Sequence, residues 1–164
     1  MADINIVLIE PEIPQNTGNI ARTCAATGAA LHLVKPMGFE IDNAKLKRAG
    51  LDYWDELELY EYQSFDEVRN KYKDGQFFYC STKAKYTYSE VDFAEIKGDI
   101  FLVFGKETKG LPEPLLKENY DSCIRIPMRE NMRSLNLSNS VAIIAYEVLR
   151  QTNFENLQKE GKIL

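Results

Sequence analysis

The sequence predicts a single α/β domain, residues 1–164, with a parallel sheet flanked by helices. Short strand-like runs alternate with helical patterns along the chain, which implies parallel pairing with helices on both faces. Two of those runs, "QFFYCST" and "IFLVFG", are apolar almost throughout, as strands buried on both faces are. At 164 residues the chain is long enough to bury one core, and it carries no repeat, low-complexity segment or linker.

Each element follows from local chemistry. "INIVLIE" (Ile4–Glu10) is the first strand, and "PEIPQ" turns the chain. "NTGNIARTCAATG" reads as a helix capped by Asn16 and closed by Gly28. "ALHLV" is the second strand, and "NAKLKRAG" a short helix stopped at Gly50. "LELYEY" is the third strand, followed by the helix "SFDEVRNKY" with a capping box at Ser64 and Glu67. A loop from about Lys83 to Asp99 separates the two apolar strands. "LPEPLLKENY" is a short helix, "SCIRIP" the last strand, and Leu137–Gln151 the last helix, with Ser138 or Asn139 as its cap. Val141, Ile144, Ala145 and Val148 form its core-facing stripe, with Ala142 and Ile143 making the other sides apolar too. The polar tail after Thr152 is expected to be loosely held.

Composition is that of a soluble globular protein, 45% hydrophobic and 27% charged. No apolar run reaches the roughly 18 residues of a membrane span, and no signal peptide precedes the first strand, so a cytoplasmic protein is expected. Cys24, Cys80 and Cys123 are odd in number, far apart and outside any C-x-x-C, which fits reduced thiols rather than disulfides or zinc. The net charge of −5 argues mildly against nucleic acid, yet basic clusters stand out: Lys45, Lys47 and Arg48; Lys106 and Lys109; Arg125, Arg129 and Arg133. Neither a G-x-G-x-x-G nor a Walker loop is present, and G-x-S-x-G is absent. The one histidine, His32, lies inside an apolar strand, which disfavours Ser-His-Asp chemistry and a histidine metal site; no metal is expected.

Three strand ends carry the remaining polar signal, where open parallel sheets bind ligands. In "NTGNIART", Asn16, Asn19 and Thr23 share a helix face, Gly18 permits close backbone approach, and Arg22 neighbours Asn19. An arginine among asparagines at a helix opening suits a phosphate or an oxyanion, although a capped surface helix with a solvated arginine has the same spacing. "FGKETKGLP" is a glycine-bounded loop with Glu107 as its acidic group, a candidate base or part of an ordinary connection. "MRSLNLSNSVAIIAYEVL" sets Ser134, Asn136, Ser138, Asn139 and Ser140 before an apolar helix. One of them caps the helix; together they suggest a loop that holds an uncharged polar edge such as a nucleobase.

Taken in order, "NTGNIAR", "FGKETKGL" and "IPMRENMRSLNLSNSVAI" resemble the three motifs of the SpoU class of SPOUT methyltransferases, and the likeness covers nearly the whole chain. "IVLIEPEIPQNTGNIARTCAATGAALHLVKPMGF" and "RAGLDYW" are similar to the small subfamily that methylates the ribose of the tRNA wobble nucleotide. The resemblance implies an α/β knot, with the chain from about residue 79 to 152 threaded as a trefoil. It implies S-adenosylmethionine as cofactor, held at Cys80, Gly105, Ile126, Met128, Ser134 and Leu135. It further implies a homodimer with the last helix, including Tyr146 and Val148, partly at the interface, and the tRNA anticodon stem-loop as substrate.

The same resemblance places Arg22 at the centre of catalysis, with Asn16, Ser134 and Asn136 around it. A guanidinium is a poor proton acceptor, so stabilisation of a developing alkoxide is the expected part played by Arg22. Lys45, Lys47, Arg48, Arg129 and Arg133 are candidate RNA contacts. The competing readings are a non-catalytic knotted RNA-binding or ribosome-assembly module, and a SPOUT methyltransferase acting on another RNA. A nucleotide-dependent α/β enzyme such as a reductase would need the phosphate loop that is missing.

Overall fold

The computed structural model describes residues 3–41 and 54–164. In chain order they form β1 (Ile4–Ile9), α1 (Pro14–Thr27), β2 (Ala30–Val34), β3 (Leu59–Tyr62), α2 (Phe65–Lys71), β4 (Gln76–Cys80), β5 (Tyr86–Thr87), β6 (Ile100–Phe104), α3 (Glu113–Glu118), β7 (Cys123–Arg125) and α4 (Leu137–Gln151). The strands make one sheet in the order β3-β2-β1-β6-β4-β7-β5, and every neighbouring pair is parallel. The short helix expected over "NAKLKRAG" lies outside the described residues.

Alternation along the central strands supplies two cores. Ile4, Ile6 and Leu8 of β1 pack with Ile20 and Cys24 of α1 and with Val141, Ile144 and Val148 of α4. Val7 and Ile9 point the other way, toward Val68 of α2 and Leu116 of α3. β1, β2 and β6 are buried at every position, which is why they read as continuous apolar runs.

His32 sits in this sheet with 0% exposure, and its ring is paired on both sides. Nε2 lies 2.9 Å from the Asn5 Oδ1, which only accepts, so Nε2 carries the proton. The Tyr62 hydroxyl then donates to Nδ1 across 2.9 Å. Burial, with a smaller contribution from the Lys71 charge, lowers its pKa to about 4, so it stays neutral.

Several local expectations are corrected. α1 starts at Pro14 with Ile13 in the cap position and no side-chain cap, so Asn16 lies inside the helix; Gly28, at φ 81°, closes it as expected. In α2 the Ser64 hydroxyl accepts from the Glu67 N–H at 3.4 Å, but the Glu67 carboxylate reaches the N–H of Gln63 at 2.9 Å, one residue early for a capping box. The segment read as a loop before β6 contains the edge strand β5, which pairs with β7. It is also tied down where Gln151 Oε1 accepts from the Phe93 N–H at 2.7 Å and Gln151 Nε2 donates to the Val91 carbonyl at 2.9 Å. The tail is docked at its start, since Phe154 and Leu157 pack against the core. α4 spans the expected residues, but its cap is Asn136 rather than Ser138 or Asn139. Val148 lies in the core at 1% exposure, as its place in the core-facing stripe predicts, whereas Ile143 and Tyr146 are 38% and 45% exposed, so the helix is less enclosed than its apolar sequence suggests.

Candidate active site

The sheet order brings the expected cofactor residues to three adjacent strand ends. β6, β4 and β7 are neighbours, and Cys80 closes β4 opposite Phe104 of β6 and Ile124 of β7. Gly105 follows Phe104 directly, and Ile126 comes two residues after Ile124. The chain then runs through Met128, half-buried, to Ser134 and Leu135, both exposed, at the mouth of α4. A Cβ at Gly105 would meet the Gly110 carbonyl carbon at 2.1 Å and the Leu111 nitrogen at 2.3 Å. Glycine is required there because the loop folds back on itself, with the Gly110 N–H donating to the Lys106 carbonyl at 2.9 Å.

One chain of hydrogen bonds joins the three motif stretches. Asn136 Oδ1 accepts from the backbone N–H groups of Ser138 at 2.9 Å and Asn139 at 3.4 Å, which caps α4. Its Nδ2 donates to Asn16 Oδ1 at 3.1 Å, although the two residues are 120 apart in sequence. Asn16, only 6% exposed, donates in turn from Nδ2 to Glu107 Oε1 at 3.4 Å. An uncharged amide pair at this position leaves the mouth of α4 polar without placing a charge there.

Glu107, considered from sequence as a base, is already engaged as an acceptor. Its two carboxylate oxygens take the N–H of Glu12 at 2.8 Å and of Ile13 at 3.0 Å, the amides at the opening of α1. The missing cap of α1 is thus supplied by a carboxylate 94 residues away from Ile13. Glu12 answers in the other direction: its Oε1 accepts from the Thr108 N–H at 3.2 Å and the Thr108 hydroxyl at 2.7 Å. Those two bonds, the hydroxyl's first, hold the Glu12 carboxyl below its ordinary pKa. Glu10, at φ 53°, adds an ion pair with Lys106 at 3.3 Å.

Arg22 is exposed on α1, six residues beyond Asn16 and so roughly 9 Å further along the helix axis. Asn19 is exposed as well, and a Cβ on Gly18 would meet nothing within 4 Å. Arg129 and Arg133 are exposed on the loop that leads to Ser134, while Lys45, Lys47 and Arg48 lie outside the described residues. Burial pushes the Cys24 thiol up to about 12 and raises Cys80 well above the ordinary thiol value, which disfavours the reactive thiolate at both. Among the described residues no three His, Cys, Asp or Glu side chains are grouped to hold a metal.

Three motif stretches brought to the strand ends of one parallel sheet match the SpoU class of RNA methyltransferases, and comparison with known proteins agrees. The SpoU rRNA Methylase family model matches residues 3–146, and the chain belongs to that family. A relative from Listeria monocytogenes serotype 4b (strain F2365) is 54% identical over 156 residues, 95% of this chain and 92% of its own. Another, from Saccharophagus degradans, is named tRNA (cytidine(34)-2'-O)-methyltransferase and is 46% identical over 151 residues, 92% of this chain and 96% of its own. A solved structure concerned with the 2-OH methylation of C/U34 on tRNA superimposes with a TM-score of 0.84 at 39% identity, covering 94% of this chain and 99% of that one.

Proposed function

We propose that the protein transfers a methyl group from S-adenosylmethionine to the ribose 2'-hydroxyl of the wobble nucleotide, cytidine or uridine 34, of tRNA. The observation that carries this reading is the Asn136–Asn16–Glu107 chain, which ties the three family motifs into one site at the strand ends. When bound, S-adenosylmethionine supplies an electrophilic sulfonium methyl. Cys80, Gly105, Ile126, Met128, Ser134 and Leu135, on adjoining strand ends and the lip that follows, are the residues that hold it. Ser134 and Leu135 on the lip are exposed, and the loop after β6 is free of a side chain at Gly105, which fits an adenosine edge approaching backbone.

Arg22 stabilises the alkoxide that develops on the 2'-oxygen and holds the adjacent phosphate, which assists removal of the hydroxyl proton. Asn16, Ser134 and Asn136 position the ribose. Arg129 and Arg133, with Lys45, Lys47 and Arg48, contact RNA phosphates, a charge-driven contact that an acidic chain can still make locally. The protein works as a homodimer in which each RNA site is completed by the second copy, and the chain from residue 79 to 152 is knotted around the cofactor. Ile143 and Tyr146, apolar and exposed on α4, support the dimer.

The test is direct. The pure protein is incubated with S-adenosylmethionine and total tRNA lacking wobble ribose methylation, and methylated nucleosides are mapped by mass spectrometry. A new 2'-O-methyl group at position 34 is expected, with Arg22→Ala slowed by at least about a hundredfold. Arg22→Lys keeps the charge and loses the planar fork, so it is expected to recover only a small part of the rate. No methylation by protein that binds the cofactor would redirect the search to another RNA.

A further inference from the structure

We propose that Glu12 is a positioning residue for methyl transfer, acting with Thr108 and Glu107 as a reciprocal clasp that sets α1, and with it Arg22, against the loop after β6. The proposal rests on the function given above.

The clasp is unusual in being closed from both sides. The Glu12 side chain accepts from the Thr108 backbone and hydroxyl, while the Glu12 backbone N–H donates to Glu107. The Glu10–Lys106 pair repeats the contact one step earlier, so residues 10 and 12 of one loop grip 106 and 108 of the other. A third segment braces the same spot: the Gly38 N–H donates to the Pro11 carbonyl at 3.0 Å, and a Cβ on Gly38 would come within 2.9 Å of the Glu12 carbonyl oxygen.

α1 has reason to need this. Ile13 offers no side-chain acceptor and Pro14 has no N–H, so no local side chain caps the helix opening. Its axial position is set by Glu107, and the Glu107 loop is held in turn by Glu12. Glu12 is only half-buried and belongs to neither hydrophobic core, so its loss removes bonds without opening a cavity. A residue of this kind should cost rate more than stability, because a displacement of about 1 Å at a reacting group can cost up to roughly a hundredfold.

The experiment compares wild type with Glu12→Ala, Glu12→Gln, Thr108→Val and the double variant Glu12→Ala/Thr108→Val. Single-turnover methyl transfer is read at saturating tRNA and S-adenosylmethionine, together with KM for each and the Tm. Glu12→Ala is expected to slow the step about tenfold or more while both KM values stay within about twofold. Glu12→Gln keeps an oxygen that accepts from Thr108 and should restore most of the rate. Thr108→Val should lose part of it, and the double variant should be no slower than Glu12→Ala alone. An unchanged rate in Glu12→Ala, an equal loss in Glu12→Gln, or additive losses in the double variant would overturn the assignment. So would a lowered Tm with both KM values raised and the saturated rate intact, since that is the pattern of general loosening. Inactive wild type would overturn the proposed function and this assignment with it, whereas active wild type with an unaffected Glu12→Ala overturns the clasp alone.

Discussion

At His32 the sheet holds a neutral imidazole between Asn5 and Tyr62 with a pKa lowered to about 4. The unfolded chain takes up that proton first as pH falls, so the contribution to stability is complete above about pH 6.5 and is lost on the way down to about 4. Between pH 7 and pH 5 the expected loss is about 2 kcal/mol, read from urea unfolding at the two values, and His32→Gln should flatten that slope. An apolar setting for His32 was legible in "ALHLV"; its partners, 27 and 30 residues away, were not. The candidate site divides the same way. Asn16 and Asn136 were recognisable in kind, as amides beside apolar helices. That one donates to the other, and that Glu107 is an acceptor rather than a base, depends on contacts across 91 and 120 residues, for which no local pattern exists.

The two site helices show how far local pattern reaches at the level of elements. Apolar periodicity located α4 from Leu137 to Gln151, and Gly28 fixed the end of α1. Both openings were misplaced, for different reasons. α1 borrows its acceptor from another loop, so the good capping residue Asn16 is free to turn inward. In α4 several serines and asparagines compete, and the geometry favours Asn136 because its side-chain Oδ1 reaches the second and third amides of the helix. Asn136 therefore has two separable duties. Asn136→Asp keeps a capping acceptor but sets a carboxylate against Asn16 Oδ1, while Asn136→Ala removes cap and link together. The expected result is a near-native Tm with reduced methyl transfer for the first. For the second, both fall, with about 1 kcal/mol of stability lost in thermal unfolding.

For the molecule as a whole, a parallel sheet covered on both faces follows from uninterrupted apolar strands, and that much could be read without coordinates. The strand order could not, because nothing local in Ile100–Phe104 states that it lies between Ile4–Leu8 and Gln76–Cys80 and pairs with both. The proposed homodimer is tested on α4, where Ile143 and Tyr146 stand three residues apart and exposed. Replacing both with glutamate is expected to give a monomer by light scattering, with the far-ultraviolet circular dichroism preserved and methyl transfer lost. A variant that remains dimeric and active would remove that face from the interface.

The pairing of β1 with β6 also has a consequence for biosynthesis. β1 leaves the ribosome ahead of both its partners and finds β2 within some twenty residues, but its other edge has no partner until residue 100 is made. At roughly 5–20 residues per second that wait lasts about 5–20 s. Throughout it the growing polypeptide displays "INIVLI", a strand edge with no charge and no proline to blunt it. Crowded or hot cells should punish that interval first, through nascent chains that stick to one another before the protein has been completed.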